Sequence, residues 1–170
     1  MSSGKDEVTV CKVKEPEETP ELSKLATAIL REHYDPIIGK EQNDYMLEKY
    51  QSEKAIADQF KHGYIYYWGI YNGKKAGFIG FYPVENNKLY LSKFYVSKEY
   101  RGKKVGRKMF DFIVQYAKEK GLKSVFLNVN KHNATSIKVY EHLGFVKIRD
   151  EKNDIGNGYY MDDYVYEYNI

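Results

Sequence analysis

Six basic residues, Lys98, Arg101, Lys103, Lys104, Arg107 and Lys108, fall within eleven positions, with Gly102 and Gly106 among them. Just before them lie Leu91, Phe94, Tyr95 and Val96, a short apolar and aromatic stretch that suits a strand. After Gly106 the pattern turns helical. A strand, a basic glycine loop and a helix start can hold a pyrophosphate, because helix-start N–H groups and nearby cations favour anionic oxygens. A solvated turn is the ordinary alternative for such a loop. Two further signals follow: a strand end near Val129 that runs into Asn133, and Tyr140 with Gly144 and Phe145 behind it. Asn133 on its own reads as a helix cap. Tyr140 shares a helical stripe with Ile137 and Leu143 and on its own reads as core.

The elements that position these residues can be read in order. Residues 8–13 (Val8, Val10, Cys11, Val13) predict a first strand. Thr19-Pro20 is a helix start, with Leu22, Leu25, Ala26, Ile29 and Leu30 on one face. Pro36 predicts a stop near His33-Tyr34 and a loop over 36–42. Tyr45, Met46, Tyr50, Ile56 and Phe60 indicate one or two further helical segments, closed by Gly63. Residues 64–71, 76–82 and 88–96 form a meander, its first turn set by Asn72-Gly73. The apolar alternation along the third member slips by one near Ser92-Lys93, as a β-bulge would cause.

Val105, Met109, Phe112, Ile113 and Tyr116 make a helical stripe ended by Gly121, and 124–129 is a short apolar strand. This βαβ unit requires parallel strands joined right-handedly. A helix opening at Asn133, a strand over 145–148, a polar loop over 150–158 and a last strand over 159–168 complete the order βααβββαβαββ. The expected fold is α/β, a mixed twisted sheet with helices on both faces.

At 170 residues the chain is long enough for one domain, 1–170, with a substantial core. A net charge of +3 argues against a dedicated nucleic-acid binder, whose affinity rests on many phosphate contacts. The single cysteine, Cys11, excludes an internal disulfide and fits a reducing compartment. No apolar run is long enough for a transmembrane helix. The opening residues Met-Ser-Ser-Gly-Lys-Asp lack signal-peptide character. These features predict a cytoplasmic protein with no membrane or nucleic-acid partner.

Taken together, at this spacing, the signals resemble the GNAT superfamily of N-acetyltransferases, which binds acetyl-CoA. The family's loop pattern is Arg/Gln-x-x-Gly-x-Gly/Ala after a bulged strand. Its next motif is roughly Asn-x-x-Ala-x-x-x-Tyr-x-x-x-Gly-Phe, matched here from Asn133 to Phe145 with Ser136 in the Ala position. The loop departs from the pattern at Lys104, where the first glycine should fall.

The resemblance implies a GNAT-like fold with acetyl-CoA as cosubstrate and no metal. It also implies roles for particular residues. Phe94, Tyr95 and Val96 should pair with the pantetheine arm, with the Val96 N–H as oxyanion donor. Arg101, Gly102, Lys103, Lys104, Val105, Gly106 and Arg107 should hold the pyrophosphate, and Asn133 should contact pantetheine. Tyr140 should protonate the departing thiolate as general acid, since a tyrosine of reference pKa about 10 keeps its proton at neutral pH.

Stretches 33–43 and 156–164 further resemble the bacterial PaiA-type acetyltransferases, which implies a small polyamine-like acceptor such as spermidine or spermine. A polycation needs carboxylates and aromatic faces. Asp35, Glu41, Asp162 and Asp163 with the tyrosine-rich strands are candidates, a solvated strand start being the alternative for Asp162-Asp163. The candidate substrate residues are Asp35, Tyr82, Glu85 and Asp162. Glu85, Asp35, His33 and Tyr82 are candidate bases beside bulk water. Protein or peptide N-acetylation and a non-catalytic CoA-binding regulator are the competing functions, and a homodimer is left open.

Overall fold

The computed structural model describes residues 6–170, so residues 1–5 of the opening stretch read above lie outside it. The elements are β1 (Val8–Lys12), α1 (Thr19–Ile38), α2 (Lys40–Gln51), α3 (Glu53–Lys61), β2 (Ile65–Tyr71), β3 (Lys74–Val84), β4 (Lys88–Val96), a 3-10 turn (Lys98–Tyr100), α4 (Val105–Glu119), β5 (Ser124–Asn130), α5 (Ala134–Leu143), β6 (Val146–Gly156) and β7 (Tyr159–Asn169). This is the expected mixed α/β order with one helix more. The extra helix arises at Ser52, whose side chain accepts from the Ala55 N–H at 3.1 Å and starts α3 afresh.

The strands are hydrogen-bonded in the order β1-β2-β3-β4-β5-β7-β6. β4 and β5 run parallel from Lys88↔Ser124 to Tyr90↔Phe126, as a strand–helix–strand crossover requires. The pairs β1/β2, β2/β3, β5/β7 and β6/β7 are antiparallel. The chain forms two compact units. One holds the described residues up to Phe81 with Lys93–Ile113, and the other holds Tyr82–Ser92 with Val114–Ile170. In the first, Leu22, Ala26, Ile56, Tyr66, Trp68 and Phe78 form the core. In the second, Val125, Leu127, Val129, Val165 and Phe145 are buried.

Two boundaries differ from expectation. α1 runs through Pro36 to Ile38 rather than stopping at Tyr34. Proline removes one N–H, but the helix ends two residues later, where the Gly39 N–H reaches the Asp35 carbonyl at 3.0 Å and Gly39 turns at φ 89°. The polar stretch expected as a loop over 150–158 is strand: β6 continues to Gly156, and the turn is Asn157-Gly158, with φ values of 55° and 80°. That turn repeats the chemistry of Asn72-Gly73, with φ 47° and 82°. β6 lies at the end of the strand order and is exposed along most of its length, so polar residues suit it.

The buried alternation of β4 does not slip at Ser92-Lys93. Leu89, Leu91 and then Lys93 are all buried, so the odd face continues with a lysine. Its Nζ lies 2.8 Å from the Tyr50 carbonyl, 2.9 Å from Gln51 Oε1, 3.0 Å from Gln59 Oε1 and 2.6 Å from the Tyr66 hydroxyl. The rings of Tyr66 and Tyr64 face it at 5.1 and 5.7 Å. Burial without a carboxylate pulls the ammonium down to about 7. Between that value and the ordinary 10.5, the unfolded chain holds the proton and the folded chain does not, so stability must rise with pH across the window. Urea unfolding should therefore show wild type gaining on Lys93→Met by about 1 kcal/mol per pH unit above pH 7. A pH-independent difference contradicts this.

Candidate active site

In the first unit, the end of β4 is fixed by close backbone packing. The Ser97 N–H donates to the Ala76 carbonyl at 2.8 Å. A Cβ on Gly77 would lie 2.3 Å from the Tyr95 carbonyl oxygen and 3.1 Å from Val96 Cα, so only glycine lets β3 approach here. Phe94, Tyr95 and Val96 are half-buried. A Cβ on Gly106 would meet Phe94 at 3.7 Å and Val96 at 3.8 Å. The structure thus brings Phe94, Val96 and Gly106 together.

The loop between them, 101–104, is fully exposed, and its backbone is left-handed at Gly102 (φ 76°) and at Lys104 (φ 69°). A lysine rarely adopts that conformation, which costs roughly 1–2 kcal/mol in a residue with a Cβ. The loop therefore keeps a glycine-type backbone at the one position where the sequence lacks the glycine. The Lys104 carbonyl accepts from the Lys108 N–H at 3.0 Å and opens α4, whose first turn carries no acidic residue. Lys103 Nζ sits 5.4 Å from the Tyr71 ring, and Arg107 lies 3.9 Å from Asp111. Exposed cations and unsatisfied helix-start N–H groups suit a phosphate-bearing ligand.

In the second unit, Asn133 is buried and caps α5, its side-chain oxygen accepting from the Ser136 N–H at 3.2 Å. Seven residues on, Tyr140 is 9% exposed and meets Phe145 edge-on at 5.7 Å. Gly144 ends the helix at φ 106°, returning its N–H to the carbonyls of Tyr140 and Glu141. The cap and core readings of Asn133 and Tyr140 thus both hold structurally, and either residue can carry chemistry as well.

The candidate acceptor residues are dispersed. In the first unit, Asp35 is held by Arg31 at 3.4 Å and by Asn43 at 2.8 Å, joining the end of α1 to α2. His33 packs edge-on to Tyr34 at 4.9 Å. In the second, Glu85 is exposed in the turn after β3, beside a hollow lined by Val84, Lys88, Phe126 and Ile148. Tyr82 lies beside Tyr90 in a tilted pair, 5.5 Å between ring centroids. Asp162 is paired with Lys131 at 3.0 Å.

Its neighbour Asp163 is the buried carboxylate, 2% exposed, in company that the sequence reading did not assemble. Asn128 donates to Glu151 at 2.9 Å and to Asp163 Oδ2 at 3.4 Å, and accepts from the Tyr90 hydroxyl at 3.1 Å. Burial, with the charges of Glu151 and Asp162, outweighs Asn128 and Lys131 and raises the Asp163 carboxyl to about 6. Only the strand register, Asp163 opposite both Asn130 and Glu151, collects these residues.

With this geometry in place, comparison with known proteins is decisive on one point. Residues 27–145 match the model of the acetyltransferase (GNAT) family. The chain belongs to the GNAT family of acetyltransferases. It is 30% identical over 83 residues to a probable spermine N(1)-acetyltransferase of Bacillus subtilis subsp. natto, covering 44% of this chain and 55% of that protein. It is 28% identical over 102 residues to the Escherichia coli ribosomal protein bS18 alanine N-acetyltransferase, covering 60% of this chain and 68% of that one. The match thus spans about half the length of the spermine-directed relative. Among solved structures, the PaiA N-acetyltransferase of Thermoplasma acidophilum in complex with coenzyme A superposes at a TM-score of 0.79, with 20% identity over 96% of this chain and 99% of that one. That likeness is one of fold.

Within the GNAT family, Lys104 is this chain's departure, and its positive φ shows what the departure costs. Lys104→Gly should raise stability by roughly 1 kcal/mol in thermal or urea unfolding. It should leave CoA affinity at or above that of wild type. A loss of affinity would show that the Lys104 ammonium itself contributes to binding.

Proposed function

We propose that this chain is an acetyl-CoA-dependent N-acetyltransferase acting on a primary amine of a small polyamine-like acceptor by direct attack. The observation that carries this reading is the 101–106 loop, which keeps a glycine-type backbone at Lys104 and opens α4 beside Phe94 and Val96. A chain with no use for that loop would have no reason to bear a strained lysine there.

In this reading the exposed loop and the start of α4 hold the pyrophosphate of acetyl-CoA. The backbone of 94–96 pairs with the pantetheine arm, with the Val96 N–H as oxyanion donor, and Asn133 contacts pantetheine. A fixed N–H donor aimed at developing charge acts without reorganising. Tyr140 gives its phenolic proton to the departing thiolate. Tyr140 lies 9% exposed beside Phe145, and a phenol of reference pKa about 10 carries its proton at neutral pH. The acceptor class draws support from the spermine-directed relative. The ribosomal-protein relative supports the competing reading, an N-terminal peptide acceptor.

Free CoA released from acetyl-CoA in the presence of polyamines, amino acids, aminoglycosides and alanine-starting peptides ranks the acceptors. Polyamines should turn over fastest, and a failure of every one of these amines to release CoA would contradict the enzyme reading. Tyr140→Phe should cut kcat roughly 100- to 1,000-fold and leave CoA affinity nearly unchanged. Unchanged turnover would return Tyr140 to a packing role.

A further inference from the structure

Asp163 presents an unmet need. Its Oδ1 is buried and has no hydrogen-bond partner in the fold. Buried carboxylate oxygens left this way cost stability, and native structures pair them with protein, water or ligand. The surrounding groups cannot supply the missing donor. Asn128 commits its oxygen to Tyr90 and its nitrogen to Glu151, reaching Asp163 only through Oδ2 at 3.4 Å. Glu151 is already satisfied by Asn128, by Asn153 at 2.9 Å and by Arg149 at 3.3 Å. Lys131 is held between Asp150 at 3.2 Å and Asp162 at 3.0 Å.

The sheet register puts an aromatic row on the face of the sheet that carries this carboxyl. Tyr90 lies opposite Phe126 in the parallel β4/β5 pair, their rings 4.9 Å apart, and Tyr82 lies 5.5 Å beyond Tyr90. The Tyr90 hydroxyl reaches Asn128, so the row and the carboxylates share one face of the second unit. A lone carboxylate oxygen lacking a donor, a neighbour whose charge Arg149 already answers, and tyrosine faces alongside make a site for one N–H-bearing cation.

We propose that Asp163 Oδ1 receives an N–H of a protonated amino group of the acceptor, an aliphatic amine whose alkyl chain lies along Tyr90 and Tyr82. This rests on the acetyltransferase reading for the word acceptor, but the binding it describes needs no acetyl-CoA. The upward-shifted carboxyl agrees with this geometry, because a cation at Oδ1 would offset the cost of holding a buried negative charge. Asp154, exposed on β6 with its carboxylate accepting from the Gly156 N–H at 2.8 Å, serves as the control of equal charge.

The test is calorimetric titration of the full chain with spermidine, without acetyl-CoA, in wild type, Asp163→Asn and Asp154→Asn. Wild type should bind. Asp163→Asn should weaken binding at least tenfold with an unaltered far-ultraviolet spectrum and unaltered CoA affinity, and Asp154→Asn should change it less than threefold. Absence of binding to wild type, retained affinity in Asp163→Asn, or equal losses in both variants overturns the proposal. The carboxyl carbon resonance of Asp163 in the wild-type chain gives a reading that no folding defect can confuse. Spermidine must lower its titration midpoint, and an unchanged midpoint overturns the site. Spermidine bound through Asp163 but never acetylated would spare the site and sink the transferase reading. Acetylation with an acceptor KM unchanged in Asp163→Asn would do the reverse.

Discussion

A lysine buried in the middle of a strand sets the terms for much of the first unit. Lys93 brings a positive charge into a region with no carboxylate to answer it, and the fold responds with four oxygens from four places. One is a carbonyl at the end of α2, two are amide side chains on α2 and α3, and one is the hydroxyl of Tyr66 on β2. Tyr66 also reaches Gln59, so the cage is closed on itself. An ammonium can donate to three of these groups. A neutral amine can donate to two and accept from Tyr66. The cage thus offers partners to either protonation state. Because Lys93 sits immediately before Phe94, this cage fixes the strand segment that continues into 94–96.

On the other side of that strand segment the constraint is steric. Gly77 exists where any side chain would strike the Tyr95 carbonyl, so β3 and β4 can close on each other at that point. Beyond Val96, the chain enters a loop that holds a lysine in a backbone conformation suited to glycine. A polar cage, a steric gap and a strained loop are three different devices, and they act on a run of about a dozen residues. Strain of this kind persists where surrounding structure over-determines it, and it concentrates at ligand clamps.

The legible part of the sequence was the part governed by local rules. Asn72-Gly73 announced its hairpin, the stripe of α4 announced a helix, and a helix between two apolar strands required the parallel pairing that β4 and β5 make. The same turn rule applies to Asn157-Gly158. It went unread because β6, exposed at the end of the strand order, carries the polar composition of a loop. Lys93 reads as a break in the apolar alternation because a lysine on a buried face is rare, whereas burial continues from Leu89 and Leu91 to Lys93. Asp162 and Asp163 are neighbours in sequence and opposite in fate. Which one is buried depends on strand register and on residues 128 and 151, which no local pattern connects. Pro36 shows that a breaker stops a helix only where further turns remain to be lost.

The central claim is that the backbone of β4 and the loop behind it form the coenzyme-binding part of this GNAT chain. Amide hydrogen exchange, followed by mass spectrometry with and without CoA, tests it most directly. The account predicts slower exchange on CoA addition at 94–96 and across 102–107, with little change along β6. Exchange at those two segments that is indifferent to saturating CoA would contradict it.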